Sequence, residues 1–542
     1  MLYGVVRDFL ETFLAHTRDS YEAPLPRYVE DELRGYLKCG VFAHGFVRAH
    51  CDTCGHDLLV AFSCKARSVC PSCAGRRMAN TAANLVDRVL PAVPVRQWVL
   101  SLPWELRALA AFKADVLSAL ARMFVEAIFA RHRRWAKKQG FGEAPSGAVT
   151  HVQRFGSSVN LNVHFHLMVL DGVFTRDKQG HPLFHPAPSP TRVELDEVVR
   201  QVHRRAVAWL TRNGHVVASK EARSQDVPAQ TSLDACAAIA MGRGAVRAIR
   251  DDPDPEQENA ARVEAPPVDE GSVEHDGFNL HASVAVAAGD DLGRERLMRY
   301  GARPPLALDR LKRLPGELIG YRIKKLRDGR AKHRVMTPLE FLARLAAIVP
   351  PPRYPLLRYH GVLGPRSSWR RDVVPKAPAA RSREERPPTK HREGESRPSG
   401  ACDRSGPTAH RSGSSRERSP STPPASVADT VATSDRGNDI GAVSAKAVLL
   451  APNVLSAKHW SRLLGGSLYA TSARIDWATL LRRSFEVDVL RCAGCGGRLR
   501  VLGEVTEPSL VGLVLESLGL PREAPRASRA RDPTDLMGAD AD

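Results

Sequence analysis

The chain has 542 residues, with 79 Lys or Arg against 60 Asp or Glu, so its net charge is +19. This excess favours a polyanionic partner, and nucleic acid in preference to a membrane surface. Hydrophobic residues at 43% suffice for buried cores and exclude wholesale disorder. The sequence has no apolar run of about 18 residues and no basic leader, which predicts neither a membrane span nor a secretory signal. Ten cysteines without such a signal favour a reducing compartment, so we expect a cytoplasmic protein.

The first part of the chain mixes helical and strand-like patterns. Apolar residues at helical spacing predict a helix over residues 1 to about 35 and a long amphipathic helix over Ala110–Lys138. Val95–Leu102 predicts a strand, and residues 150–174 predict further β-structure. A turn-rich segment at Asp177–Gly180 predicts a hairpin.

The middle of the chain continues this α+β mixture. Val193–Asn213 predicts a second amphipathic helix, and residues 251–276, rich in acids and proline, predict a loop. Phe278–Ala287 alternates like a strand, whereas Arg294–Tyr300 predicts a short basic helix. Pro338–Ile348 predicts a helix that begins at its proline.

Two Cys-x2-Cys pairs separated by 15 residues predict a four-thiolate zinc site, formed by Cys51, Cys54, Cys70 and Cys73. Zinc needs four soft ligands in a tetrahedron, and each such turn presents two sulfurs to one ion. Cys39 and Cys64 lie nearby, and either could replace one of the four ligands. Because four thiolates leave no open coordination position, zinc in this site is structural.

A further Cys-x2-Cys pair, Cys492 and Cys495, is followed by two glycines. Alone it is half of a zinc site. It is either a knuckle that takes ligands from elsewhere in the chain or a glycine-rich hairpin with unligated thiols.

Two histidines, His164 and His166, interrupt an otherwise apolar run. Residues i and i+2 of a strand point to the same face, so the two imidazoles converge while Phe165 points to the other face. Such a pair is costly to bury unless it binds metal or is hydrogen-bonded. The pattern therefore predicts either a metal pair or two satisfied core histidines.

The run QRFGSSVNLNVHFHLMVLDGVF resembles the His-hydrophobic-His motif of the HUH endonucleases. More narrowly, it is similar to the rolling-circle transposases of the insertion-sequence ninety-one family and of the related common-region (ISCR) elements. The cysteine-rich stretch from LKCG to AGRRM resembles their N-terminal zinc-binding domain. The resemblance continues through GFNLHASVAV, LMRYGARPPLA, TPLEFLARLAAIVPPPRYPLLRYHGVLGP and RCAGCGGRLRVL.

This resemblance implies an α+β fold in which an antiparallel sheet carries the histidine pair on a central strand, beside a tyrosine helix. It implies that His164 and His166 bind Mg²⁺ or Mn²⁺, and that a third ligand comes from a nearby element, with His281 and Gln153 as candidates. The zinc-binding domain would hold structural Zn²⁺.

The resemblance also implies a tyrosine nucleophile, which attacks phosphorus and leaves a 5′-phosphotyrosine and a free 3′-hydroxyl. Tyr300 in LMRYGARPP matches that position, with Tyr321 as the fallback. Two-tyrosine members place the second tyrosine four residues away on the same helix face. Arg296 and Pro304 occupy those positions here, so the chain resembles a single-tyrosine member.

Basic residues in three places suit DNA contacts: Arg299, Arg303, Lys324, Lys325, Arg76 and Arg77. Arg299 and Arg303 flank Tyr300, while the two lysines belong to a basic segment over residues 310–334 that suits a groove along a DNA backbone. A solvated charged hairpin is the alternative for that segment. The implied partner is single-stranded DNA at transposon ends, and the implied location is the nucleoid of a bacterial cell.

Composition and resemblance together predict four domains. Residues 1–90 form an N-terminal helix and zinc-binding domain, and residues 91–370 form the HUH catalytic domain. Residues 376–436 contain no Phe, Trp, Tyr, Leu, Ile or Met, which predicts a disordered basic linker over residues 371–440. A small C-terminal domain with the Cys-x2-Cys knuckle follows over residues 441–525.

The sequence therefore predicts a transposase that nicks and transfers single-stranded DNA through a tyrosine–DNA intermediate. A replication initiator or relaxase with the same chemistry is one alternative. A catalytically inactive, zinc-dependent DNA-binding protein is the other.

Overall fold

A computed structural model describes residues 1–215, 231–242, 272–323, 333–375 and 488–531, together with the backbone of residues 448–455. Lys324 and Lys325, most of the predicted acidic loop and nearly all of the predicted linker lie outside these residues.

The helices of the described residues are α1 (Leu2–Ser20), α2 (Arg27–Leu37), α3 (Pro71–Arg88), α4 (Trp104–Phe112), α5 (Ala114–Lys138), α6 (Arg192–Arg212), α7 (Ser232–Met241), α8 (Asp291–Gly301), α9 (Pro338–Ile348), α10 (Arg370–Val373) and α11 (Pro508–Ser517).

The strands are β1 (Phe46–His50), β2 (Asp57–Phe62), β3 (Val95–Ser101), β4 (Gly147–Phe155), β5 (Leu161–Leu170), β6 (Gly172–Arg176), β7 (Pro182–Pro186), β8 (Ser272–His275), β9 (Phe278–His281), β10 (Ala285–Val286), β11 (Leu311–Arg313), β12 (Ile319–Arg322), β13 (His333–Met336), β14 (Leu357–Gly361), β15 (Val448–Leu455) and β16 (Arg500–Val505).

An antiparallel sheet forms the centre of the fold, with strand order β14-β4-β5-β3-β9-β8 and β10 paired with β3. Its odd-numbered β5 residues, Phe165, Leu167 and Val169, are fully buried in the largest apolar core, together with residues of α5, α6 and α9. The opposite face, which carries the histidine pair, is covered by α8 and α3. The predicted α+β fold with an antiparallel sheet is thus confirmed.

A buried ion pair ties the sheet together at one end. Arg96 of β3 donates to both carboxylate oxygens of Asp171, which follows β5, at 2.8–3.1 Å. Arg96 also donates to the carbonyl of Ala282, just beyond β9. Removing one partner from such a pair leaves a buried charge uncompensated, so this link fixes how three strands meet.

The part of the chain that carries the predicted zinc ligands, which we term the zinc module, contains the hairpin of β1 and β2 and the cysteines over residues 39–73. It is built on a second sheet, ordered β15-β2-β1-β16. The hairpin of β1 and β2 pairs Phe46 with Ala61 and His50 with Asp57. β16 extends this sheet from more than 400 residues further along the chain.

The helix over Pro338–Ile348 and the hairpin around Asp177–Gly180 are as predicted, but four boundaries differ. The strand predicted over Phe278–Ala287 is divided into β9 and β10, because residues 282–284 are not part of a strand. Lys113, in extended backbone, divides the predicted long helix into α4 and α5. The predicted N-terminal helix is interrupted between α1 and α2, where Pro24 and Pro26 lack the amide hydrogens that a helix needs. The last residues of the predicted acidic loop form β8, because Asp276 and Gly277 adopt positive φ and turn the chain into β9.

Buried His132 on α5 makes stability depend on pH. Burial lowers its pKa to about 3, so its imidazole stays neutral in the fold at pH values where an unfolded histidine is protonated. Below the unfolded pKa of about 6.5 the unfolded state therefore binds more protons, and stability is lost as pH falls.

For His132→Asn we expect a shallower pH dependence of the free energy of unfolding than for the unmodified chain. The difference should reach about 2 kcal/mol by pH 5. Urea unfolding followed by circular dichroism at pH 7, 6 and 5 measures it. Exposed His181→Asn is the matched control, and equal slopes for both variants would contradict the assignment.

Candidate active site and metal centres

Strand register gathers four polar side chains on one face of the central sheet. His151 of β4 pairs with His166 of β5, and Gln153 pairs with His164. Directly paired residues of an antiparallel sheet point to the same side. Because β4 and β5 are adjacent, the predicted histidine pair gains His151 and Gln153 as neighbours.

His151, His164 and His166 on this face are buried and neutral. Burial lowers the pKa of His164 and of His151 to about 4, and lowers that of His166 well below its usual range. Neutral imidazole is the form that binds metal ions. The ring centroids of His164 and His166 lie 4.9 Å apart.

Hydrogen bonds orient the two predicted ligands. Nδ1 of His164 lies 2.9 Å from the carbonyl oxygen of Asn162, so Nδ1–H donates and Nε2 carries the lone pair. Nδ1 of His166 lies 2.9 Å from the side-chain amide of Gln97 on β3. In the described part of the chain, the buried Nε2 atoms of His166 and His151 have no hydrogen-bond partner.

Tyr300 lies at the C-terminal end of α8, against this face. Its ring centroid is 5.3 Å from that of His166, at nearly a right angle. The side chain nevertheless remains 47% exposed. The guanidinium of Arg303 lies over the Tyr300 ring at 4.9 Å. The phenol is therefore accessible from solvent and close to the histidine pair.

Gln153 anchors the end of α8 to the sheet. Its amide nitrogen donates to the carbonyl oxygens of Tyr300 and Gly301, each at 2.9 Å. Its amide oxygen accepts from Nε of Arg303 at 3.2 Å. Gly301 allows the close approach: a Cβ there would lie 2.9 Å from both His151 Cδ2 and the Met168 methyl carbon.

Other predicted residues lie away from the histidine pair or are engaged elsewhere. His281 of β9 shares the face, but Val99 of β3 lies between it and His166 in the register. Its Nε2 lies 2.8 Å from Ser283 Oγ. Tyr321, the fallback nucleophile, is 2% exposed and its hydroxyl accepts from a backbone amide.

The predicted DNA-binding arginines have internal partners. Arg299 forms an ion pair with Glu295 at 2.6 Å, one turn earlier on α8. Arg77 of α3 donates to the carbonyl of Lys65 at 2.9 Å and supports the loop of the zinc module. Arg76 is the preceding residue on the same helix.

The cysteines form two groups, where the sequence predicted one site. Cys39, Cys64, Cys70 and Cys73 have ligand atoms within 4.8 Å of one another, and so do Cys51, Cys54, Cys492 and Cys495. The predicted ligands are thus divided, two to each group. The reason is the length of the hairpin: Cys51 and Cys54 form its tip, whereas the other group lies at its base, about 20 Å along a six-residue strand.

The group at the base of the hairpin, which we term the base group, is drawn together by backbone contacts. The amide of Gly40 donates to Phe62, and the amide of Cys64 donates to the Cys39 sulfur at 3.2 Å. The Sγ–Sγ distances from Cys39 to Cys70 and to Cys73 are 3.6 and 3.7 Å. These spacings are close to the edge of a zinc–thiolate tetrahedron, about 3.8 Å for Zn–S bonds of about 2.3 Å.

The four thiols of the base group hydrogen-bond to one another, which lowers the pKa of Cys70 and of Cys73 and raises the pKa of Cys39 and of Cys64. Glu32 of α2 accepts from the amides of Ser68 and Val69 and so fixes the loop that leads into Cys70.

Sequence reasoning missed His151 as a member of the histidine face. It stands two residues before Gln153, so period-two alternation puts both on one face, but their pairing with β5 is not visible in the sequence. Cys39 and Cys64 were recognised only as substitutes for other ligands.

Comparison with known families agrees with this arrangement. Residues 147–370 match the transposase family Y2_Tnp, and residues 5–102 match the transposase zinc-binding domain Zn_Tnp_IS91. Together the two matches cover more than half of the chain. No curated protein and no solved structure matches it.

The fold and the two matches define a DNA-processing transposase that holds zinc structurally. More particularly, the order of a zinc-binding domain followed by a transposase domain is that of the IS91 (insertion-sequence ninety-one) transposases, and the chain belongs to this family. A transposase acts on DNA, in keeping with the net charge of +19. None of the helices in the described ranges is long and apolar enough to cross a membrane.

The contact between α8 and the sheet can be tested at Gly301. We expect Gly301→Ala to lower the free energy of unfolding by about 1–3 kcal/mol, because the added methyl must displace His151 or Met168. Gly289→Ala, whose methyl would meet nothing within 4 Å, is the control and should change it by less than about 0.5 kcal/mol. Urea denaturation provides both values, and equal stabilities of the two variants would show that α8 does not pack this closely.

Proposed function

We propose that this transposase nicks and transfers single-stranded DNA at transposon ends, with Tyr300 as the nucleophile. The observation that carries the proposal is the exposed Tyr300 phenol beside the neutral, buried His164 and His166. A tyrosine with only a packing role would not require an exposed phenol beside two buried, neutral histidines.

The histidine face offers buried imidazole nitrogens to a divalent metal ion, although no three of its histidines have their ligand atoms within 4.8 Å of one another in the described structure. Buried nitrogen atoms without partners are costly, and Nε2 of His166 and of His151 are such atoms in the described structure. His164 Nε2 is available because Nδ1–H donates to Asn162. For His166, turning the Gln97 amide oxygen toward Nδ1 makes the ring a donor there and frees Nε2 for the metal.

His164 and His166 would hold the ion, with His151 as the third ligand in preference to His281. His151 lies on the strand adjacent to β5, whereas β3 separates His281 from it. Gln153 already uses both ends of its amide to hold α8. The proposed ion is Mg²⁺ or Mn²⁺, the two metals that the family resemblance implies. When bound, the ion polarises the scissile phosphodiester and neutralises charge on its non-bridging oxygens.

The chain's own residues account for the covalent step. Tyr300 Oη attacks phosphorus and loses its proton to water, the P–O3′ bond breaks, and the departing 3′ oxygen takes a proton from water, so the products are a 5′-phosphotyrosine and a free 3′-hydroxyl. In the transfer step a DNA 3′-hydroxyl attacks the phosphotyrosine and releases the tyrosine. Because one phosphoester replaces another, joining needs no external energy source.

A small basic cavity beside Tyr300 supports the DNA-binding part of the proposal. The cavity, about 140 Å³, is lined by Arg67 and Arg77 of the zinc module and by Arg303, Gln153 and His151 of the sheet side. Arg303 stacks on Tyr300 and keeps guanidinium donors that suit a phosphate. The DNA strand would therefore pass from the tyrosine toward the zinc module.

Tyr300→Phe tests the nucleophile. We expect retained binding to single-stranded hairpin oligonucleotides and complete loss of the covalent protein–DNA adduct, because phenylalanine has no oxygen to attack phosphorus. Denaturing gels with labelled oligonucleotides and Mn²⁺ detect the adduct, with duplex oligonucleotides run in parallel. Tyr321→Phe is the matched control and should keep full adduct formation. An adduct that persists in Tyr300→Phe would refute the assignment, and cleavage of duplex alone would refute the substrate.

His151→Ala tests the third ligand. We expect Mn²⁺ affinity to fall by about 10-fold or more, because one of three imidazole ligands is lost. His281→Ala, on the same face but beyond β3, should leave the affinity unchanged. Calorimetric titration of Mn²⁺ into each purified, folded variant measures this. The opposite ranking of the two variants would make His281 the ligand.

A further inference from the structure

The tip of the N-terminal hairpin meets the C-terminal knuckle. Sγ of Cys51 lies 3.5 Å from Sγ of Cys495, and Sγ of Cys54 lies 3.5 Å from Sγ of Cys492. All four sulfurs lie within 4.8 Å of one another. Disulfide bonds need about 2.05 Å, whereas four thiolates around zinc lie about 3.8 Å apart. The spacing suits a shared metal ion.

The two turns have the same backbone construction. In each, the glycine after the second cysteine adopts a φ of 73° and donates its amide to the carbonyl of the first cysteine at 2.9 Å, in Gly55 to Cys51 and in Gly496 to Cys492. The amides of both first cysteines also donate across their turns, at 2.8 and 2.7 Å. Two identical turns therefore present their sulfurs to one point from opposite sides.

The chain on both sides of the knuckle is built into the zinc module. β16 runs antiparallel to β1, with Phe46 opposite Val505 and His50 opposite Arg500. Arg500 forms a bidentate ion pair with Asp52, between the two cysteines of the hairpin tip. Residues of α11 share an apolar core with the hairpin, and further on the amide of Ser528 donates to a carbonyl of α1. The two turns are thus held face to face by independent contacts.

The geometry points to a second structural zinc site, in which Cys51, Cys54, Cys492 and Cys495 bind one Zn²⁺ as thiolates. Residues 488–531 are then part of the zinc module, and the ion links this segment to the hairpin of β1 and β2. Four protein ligands leave no open position, so this zinc takes no part in DNA cleavage. The inference is independent of the proposed nucleophile.

Metal content of the full-length chain tests the site. Purified under reducing conditions, the chain should contain two zinc ions by mass spectrometry of the metals. Cys492→Ser/Cys495→Ser should contain one, because the base group is intact and serves as an internal measure of folding. Cys236→Ala, at a buried cysteine of α7 outside both groups, is the control and should keep two.

Cobalt substitution provides a second readout. Absorption typical of tetrahedral cobalt thiolate should saturate at two equivalents in the unmodified chain and at one in the double variant. If the double variant does not fold, Cys495→Ser alone, at an exposed position, replaces it with the same expectation. A knuckle variant that keeps two zinc ions overturns the site, and iron in place of zinc overturns the metal assignment.

Discussion

The register of β4 against β5 is the constraint on which the active-site face depends. Pairing of His151 with His166 and of Gln153 with His164 puts all four side chains on one side of the sheet. A slip of one residue would send His151 and Gln153 into the apolar core on the other side. The alternation of β4 opposes such a slip, because Ala148 and Val152 on its other face are buried in the largest apolar core. Apolar packing on one face therefore determines the chemistry of the other.

The C-terminal end of α8 allows the histidines to be buried while Tyr300 remains accessible to DNA. The imidazoles must be buried to stay neutral, yet a nucleophile must be open to DNA. Gln153 holds the last carbonyl groups of α8 and Gly301 lets the helix approach closely, so the Tyr300 ring lies against that of His166 at nearly a right angle while nearly half of the side chain remains exposed. A larger residue at 301 would have to displace His151 or Met168, so the close contact of Tyr300 with the histidine face depends on a glycine that takes no part in the chemistry.

Sequence reasoning succeeded where the information is local. Period two alone places His164 and His166 together, and an N-terminal proline with helical spacing defines Pro338–Ile348. It failed where a feature depends on contacts between segments that are distant in the sequence. Nothing local shows that β4 is the neighbour of β5, which is why His151 was not recognised as a member of the histidine face. A single extended residue, Lys113, also divides a helix whose apolar pattern continues unbroken.

The division of the cysteines follows from the same limit, and hairpin geometry resolves it. Spacing of two Cys-x2-Cys turns along the sequence suits one ion only if the chain between them folds back on itself. Here β2 runs straight away from the tip for six residues, so Cys51 and Cys54 cannot reach Cys70. The hairpin tip therefore supplies only two ligands, Cys51 and Cys54. The knuckle that faces it supplies two more, although Cys495 lies 444 residues along the chain from Cys51. A single Cys-x2-Cys pair in a sequence is therefore informative, because its other two ligands are expected in whichever segment the fold places opposite that pair.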